Sequence, residues 1–189
     1  MQIFETERLF ARLLTHQDLP ALAEILSDPE VMRYSVRGVC DEVATKKFID
    51  WCSGCYSSRG IGPWALLEKD CGDLVGFCGA GPELVAGVEE MNLGYRLARR
   101  FWGQGIATEA VKGVLDYAFG QKNLASVVVI IEPEHGASVR VSEKAGFKHY
   151  MDLEFHGRPV RLYRMTCQDW SILHNNCGQG ALLPSRPCR

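Results

Sequence analysis

The chain has no apolar run long enough to cross a bilayer, and no basic segment leading into an apolar stretch opens it; Met1 runs into Phe4-Glu5-Thr6-Glu7-Arg8. A cytoplasmic protein is expected. It also has no surplus of positive charge. A formal net charge of -2 and a pI near 6.2 give no overall attraction to nucleic acid or to an anionic membrane. Small molecules or peptides are the expected partners, and a homodimer stays open. Internal repeats and low-complexity linkers are absent, and 189 residues with 47% hydrophobic content suit one sizeable core.

Other absences bear on chemistry. Cys52-Ser53-Gly54-Cys55 has metal or redox spacing, but no second Cys-x-x-Cys and no His pair follows, and Cys71 and Cys78 are too far apart to supply one. No metal is expected. With no export signal, the eight cysteines read as free thiols rather than a disulfide framework. No Gly-Lys-Ser/Thr closes a P-loop, and the third glycine of a dinucleotide fingerprint is missing.

What the chain does have is Arg100-Phe101-Trp102-Gly103-Gln104-Gly105-Ile106-Ala107-Thr108-Glu109-Ala110, a basic, glycine-punctuated turn entering an amphipathic helix. Glycines let backbone approach an anion, and the free amides and positive dipole end of the helix point at it. A nucleotide-derived cofactor is the leading expectation, against the alternative of an ordinary strand-to-helix turn that binds nothing.

Periodicity places this turn. Leu9, Ala11 and Leu13 alternate as a first strand, and Leu19, Leu22, Ala23 and Leu26 form a helical stripe with Thr15 as its cap and Asp18 three residues on. Asp28-Pro29 starts a short helical turn, and residues 41–55 repeat Ala44, Phe48, Trp51, Cys52 and Cys55 at helical spacing. Residues 64–67 and 74–78 read as a hairpin, and 91–97 as a strand ending at the glycine turn. A helix over 107–119, a β-branched strand over 125–131, a short helix over 137–144 and a hairpin around His156-Gly157-Arg158-Pro159 follow. The domain is expected over residues 1–168, with 169–189 as an irregular tail. The class is α/β of the α+β type, a mixed, mostly antiparallel sheet of about seven strands flanked by helices.

Several motifs carry a resemblance. Arg100-x-x-Gly103-x-Gly105 resembles the acetyl-CoA signature of the GNAT (GCN5-related N-acetyltransferase) superfamily. Thr6-Glu7-Arg8-Leu9, Asp28-Pro29-Glu30-Val31, Gly94-Tyr95, the stretch 102–110 and Ala137-Ser138-Val139-Arg140-Val141-Ser142-Glu143-Lys144-Ala145-Gly146-Phe147 resemble its RimJ/RimL-like, ribosomal-protein-alanine branch. These motifs spread over most of residues 1–166.

The resemblance implies the GNAT acyl-CoA N-acyltransferase fold and direct transfer of acetyl from acetyl-CoA, as co-substrate, to a primary amine. The acceptor is a protein N-terminus or a small molecule. A transferase using a larger acyl-CoA, or a catalytically silent acyl-CoA-binding module, is the alternative. The cofactor set it implies is Leu93, Tyr95, Arg96 and Leu97 on the strand, then Arg100, Phe101, Trp102, Gly103, Gln104, Gly105, Ile106, Ala107 and Thr108, with Ser138 beyond. The pantothenate arm would lie between splayed strands 91–97 and 125–131, and the pyrophosphate on the amides of 101–106. A backbone N–H near Leu93 to Tyr95 would meet the developing oxyanion.

Catalytic residues are implied less fully. Where many members carry an acid tyrosine, this chain has Ser142, and Ser138, one turn earlier on the same face, is the implied group at the leaving sulfur. Its alternative is a local helix cap. His135 stands where the branch has asparagine and is either a titratable participant or an exposed side chain. Asn92 replaces the branch's acid. Glu154 and Glu90 remain as bases through water, and failing both, the enzyme takes amines already neutral, such as an α-amino group with a pKa of about 7.7–8. Acceptor walls are expected from residues 31–59 and 84–90.

Overall fold

The computed structural model describes residues 2–178. Its centre is a single eight-stranded sheet. The strands are β1 (Gln2–Glu5), β2 (Leu9–Leu13), β3 (Pro63–Glu68), β4 (Leu74–Val85), β5 (Val88–Leu97), β6 (Ser126–Ile131), β7 (Tyr150–Phe155) and β8 (Arg158–Thr166), in the order β1-β2-β3-β4-β5-β6-β8-β7. Every neighbouring pair is antiparallel except β5 and β6, which run parallel. The helices are α1 (Leu19–Leu26), α2 (Pro29–Met32), α3 (Glu42–Arg59), α4 (Ile106–Gly120), α5 (Gly136–Ala145) and α6 (Cys167–Gly178).

The parallel pair matters most. A parallel connection needs a crossover, and α4 supplies it between β5 and β6. The two strands meet at one register only, Asn92 opposite Val128. Beyond that point the β5 edge running to Leu97 has no strand partner, so its edge N–H and C=O groups remain available.

Local chemistry sets the helix limits. Asp41 caps α3 by accepting from the Ala44 amide at 2.7 Å, and Gly60 ends it at φ +65°. Gly146, at φ +105°, closes α5, with Phe147 N–H donating to the Ser142 carbonyl. Thr15 and Asp18 form the anticipated capping box around a 3-10 turn, His16–Asp18, and Asp18 is also gripped by both Nη atoms of Arg12 at 2.8 and 2.6 Å. Most buried side chains form one core that includes Leu9, Leu22, Ile49, Trp64, Val114 and Met165, all essentially inaccessible, and Val85, Val128 and Leu162 form a second, smaller cluster.

Three elements differ from the sequence expectation. β1 adds an edge strand, giving eight rather than seven. β4 runs on to Val85 and returns through Ala86-Gly87 as β5, so the strand predicted over 74–78 is more than doubled, to 12 residues. Glycine hides the extension: a Cβ at Gly79 would lie 2.1 Å from the Gly62 carbonyl oxygen and one at Gly81 2.6 Å from the Trp51 ring. Close approach, rather than strand propensity, chose those residues. Finally, α6 occupies much of the stretch expected as an irregular tail, docking Trp170 against Phe119 and hydrogen-bonding Trp170 Nε1 to Asp116 at 2.9 Å. The rest of that expectation, 179–189, lies outside the described residues.

Candidate active site

A cavity of about 560 Å³ opens where β5 and β6 separate. Leu93, Gly94, Tyr95 and Arg96 of β5 line it, together with Val129 to Glu132, the start of α5, and a wall from Met32 to Trp51. Of the two segments expected as acceptor walls, 31–59 takes its place here. Residues 84–90 do not, because they form the tip of the β4–β5 hairpin, exposed except at Val85 and Glu90.

The glycine turn lies at the C-terminal end of β5. A 3-10 turn, Arg99–Phe101, uses the Phe101 amide on the Ala98 carbonyl and the Trp102 amide on that of Arg99, both at 3.0 Å. Those two amides are therefore spent, and the expected cradle over 101–106 moves forward. From Gly103 to Thr108 no amide donates to a protein acceptor among the described residues. Gly103 and Gly105 sit at φ +74° and +80°, and a Cβ on Gly103 would meet nothing within 4 Å. Their presence answers to backbone conformation, not crowding. Phe101 and Ile106 bury their side chains in the core, while Arg100 turns to Asp73 at 3.3 Å on the surface.

Glu109 ties the loop to the β1–β2 connection, a role that no local pattern in the sequence shows. Its carboxylate, in the first turn of α4, receives Thr6 Oγ1 at 2.5 Å, the Arg8 amide at 2.8 Å and Arg8 Nε at 2.7 Å. Arg8 Nη1 reaches on to the Gln104 carbonyl at 2.9 Å. Burial pushes the Glu109 pKa up, but the donors from Thr6 and Arg8 outweigh it and hold the acid below its ordinary range. Both motifs were visible. Their meeting across 101 positions was not.

At the other end, Tyr95 Oη lies 2.9 Å from Ser138 Oγ, and Ser138 Oγ lies 3.0 Å from His135 Nε2. His135 caps α5 and stacks on Tyr34 with ring centroids 4.0 Å apart. The exposed alternative for His135 fails, since the ring is part-buried in the cavity wall. Burial, helped by the charges of Arg96 and Arg33, pushes its pKa down, so the ring is neutral near neutral pH. Burial likewise raises the Tyr95 hydroxyl against the opposing hydrogen bond from Ser138.

Other expected groups fall elsewhere. Ser142 is buried and donates to the Val139 carbonyl at 2.8 Å, which leaves its hydroxyl proton committed. Glu154 stands exposed on β7 while its neighbour Phe155 faces the cavity. Glu90 is held by Arg164 at 2.5 Å. Neither carboxylate is placed as a base. Leu93 and Leu97 bury their side chains and offer only backbone to the gap.

A model of the acetyltransferase (GNAT) domain matches residues 8–148. The chain belongs to the GNAT acetyltransferase family. Its reaction class is N-acetyl transfer with acetyl-CoA as co-substrate. An uncharacterized protein, YkkB of Bacillus subtilis, is 31% identical over 159 residues, spanning 84% of this chain and 92% of YkkB. A GNAT acetyltransferase from Bacillus anthracis superposes with a TM-score of 0.75 at 25% identity, over 89% of this chain and 99% of that one. The fold also matches the structure of AAC(6')-Ib in complex with paromomycin and acetyl-CoA, with a TM-score of 0.72 at 16% identity, covering 87% and 97% of the two chains.

Proposed function

We propose that this chain acetylates a primary amine by direct transfer from acetyl-CoA in a ternary complex, with Ser138 serving the leaving sulfur. The observation that carries the reading is the gap between β5 and β6 beyond Asn92 and Val128. Its β5 edge ends at Leu97, just before the turn that carries the free amides of 103–108, and Tyr95, Ser138 and His135 line its cavity. The loop amides and the α4 dipole take the pyrophosphate. The unpartnered β5 edge takes the amides of the pantetheine arm, as an added strand would be taken.

In the transfer, the amine nitrogen bonds to the thioester carbon, the C–S bond breaks, and one proton leaves nitrogen as one arrives at sulfur. A backbone N–H on β5 near Leu93 to Tyr95 meets the oxyanion. Ser138 is a weaker acid than a thiol, so its main contribution is a hydrogen bond to the developing thiolate; Tyr95 and the neutral His135 orient that hydroxyl. With Glu90 and Glu154 away from the cavity, the amine enters already neutral or loses its proton to water.

The RimJ/RimL-like motifs leave a protein N-terminus and a small amine both within the class. The walled cavity favours the small molecule. An acceptor-library screen with acetyl-CoA, read as free-thiol release, tests the reading. Amine-dependent release supports an enzyme, and acetyl-CoA binding with no release under any amine would leave only an acyl-CoA binder.

A further inference from the structure

The β5 edge explains the backbone of Arg96 as part of the cofactor strand, but neither the fold nor the proposed chemistry uses its side-chain charge. It projects from β5, paired across the sheet with Phe77, into the same cavity. No carboxylate lies within ion-pair distance of it among the described residues; its own contact is a 2.7 Å hydrogen bond from Nη1 to the Tyr95 carbonyl. Desolvation in the wall lowers its pKa. A guanidinium drawn from water without an anion is unfavourable unless a ligand completes it.

The surrounding wall repeats the sign. Among the described residues, Arg37 and Lys47 line the cavity without ion-pair partners, against Glu83; Glu132 and Arg158 neutralise each other at 2.7 Å. A second polar atom is also left open. Asn92 Oδ1 is buried with no hydrogen-bond partner among the described residues. Strand alternation places Asn92, Gly94 and Arg96 on one face, spanning about 13 Å between the outer Cα atoms before the side chains reach inward. A Cβ on Gly94 would meet nothing within 4 Å, so the space between the two polar groups is clear. Phe48, Trp51 and Phe77 provide apolar wall beside it.

We infer that the acceptor is a small primary amine that also carries a carboxylate on an apolar body, its anion held by Arg96 and its amine directed to Asn92 Oδ1. The inference rests on the acetyltransferase reading above and names its substrate class. The guanidinium fork suits a carboxylate bidentately, and the amide oxygen accepts an N–H where the gap narrows to Asn92 and Val128. A polycationic aminoglycoside would bring like charge against Arg37, Lys47 and Arg96.

The test measures kcat/KM by free-thiol release for L-phenylalanine, L-leucine, their decarboxylated counterparts 2-phenylethylamine and isopentylamine, and kanamycin. Acetyl-CoA affinity is measured in parallel by calorimetry. The wild-type protein is expected to prefer the carboxylate-bearing member of each pair by roughly 10–100-fold, the range for a hydrogen bond to a charged group. Arg96→Gln should collapse that preference, through KM rather than kcat. Equal or better turnover of the decarboxylated amines or kanamycin, no turnover of either amino acid while acetyl-CoA still binds, or a preference that survives Arg96→Gln overturns the inference. Loss of acetyl-CoA binding by the wild-type protein would instead break the reading beneath it.

Discussion

The Tyr95 hydroxyl stands 2.9 Å from Ser138 Oγ, joining the strand before the glycine turn to the first turn of α5 across 43 positions of sequence. This contact turns a serine that could have been a local helix cap into a group facing the gap between β5 and β6. The cap is supplied by His135 instead, whose ring accepts from the Ser138 amide at 3.4 Å.

Ser138→Ala should lower kcat by about 10–100-fold, as for loss of a single donor to developing charge, and leave acetyl-CoA affinity within about twofold. Tyr95→Phe, which frees the serine hydroxyl to rotate, should have a smaller effect in the same direction. Steady-state kinetics beside calorimetry check both, and an undiminished kcat in Ser138→Ala would return that serine to a structural role.

His135 should impose an acid limb below the ordinary histidine range. Its folded-state pKa is depressed, so the ring stays neutral as pH falls through 6.5 and becomes a cation only lower down, where Nδ1 can no longer accept from the Ser138 amide. A pH profile of kcat in the wild type and His135→Asn checks this, with the limb expected to disappear in the variant.

Replacing Gly103 or Gly105 with valine forces a β-branched residue to a positive φ and places a side chain in the open cradle. The backbone term alone is about 1–3 kcal/mol. Acetyl-CoA affinity should fall below calorimetric detection for the double variant.

Glu109→Gln removes the anion on which Thr6 and Arg8 converge, and should weaken acetyl-CoA several-fold by loosening the loop through Gln104. Its pH signature follows from the lowered pKa. The carboxylate contributes stability above the ordinary glutamate range, and that contribution is lost as pH falls through the depressed folded-state value. Thermal melts across the acid range should therefore converge for wild type and variant at low pH.

The sequence by itself determined what depends on local backbone and periodicity. The glycines of the 103–105 turn, the stripe of α4, the Thr15–Asp18 box and the β-branched β6 all stand where their spacing placed them, because capping, φ and amphipathicity act within a few residues. Only the tertiary structure decided what depends on distance. It spent the Phe101 and Trp102 amides, brought Glu109 to Arg8, set Ser138 between Tyr95 and His135, turned Glu154 to solvent and, among the described residues, left Arg96 without an acid. β4 shows the boundary between the two. Its glycines lower strand propensity, yet β4 extends past them because the Gly62 backbone and the Trp51 ring approach too closely for any side chain, a contact that no local pattern encodes.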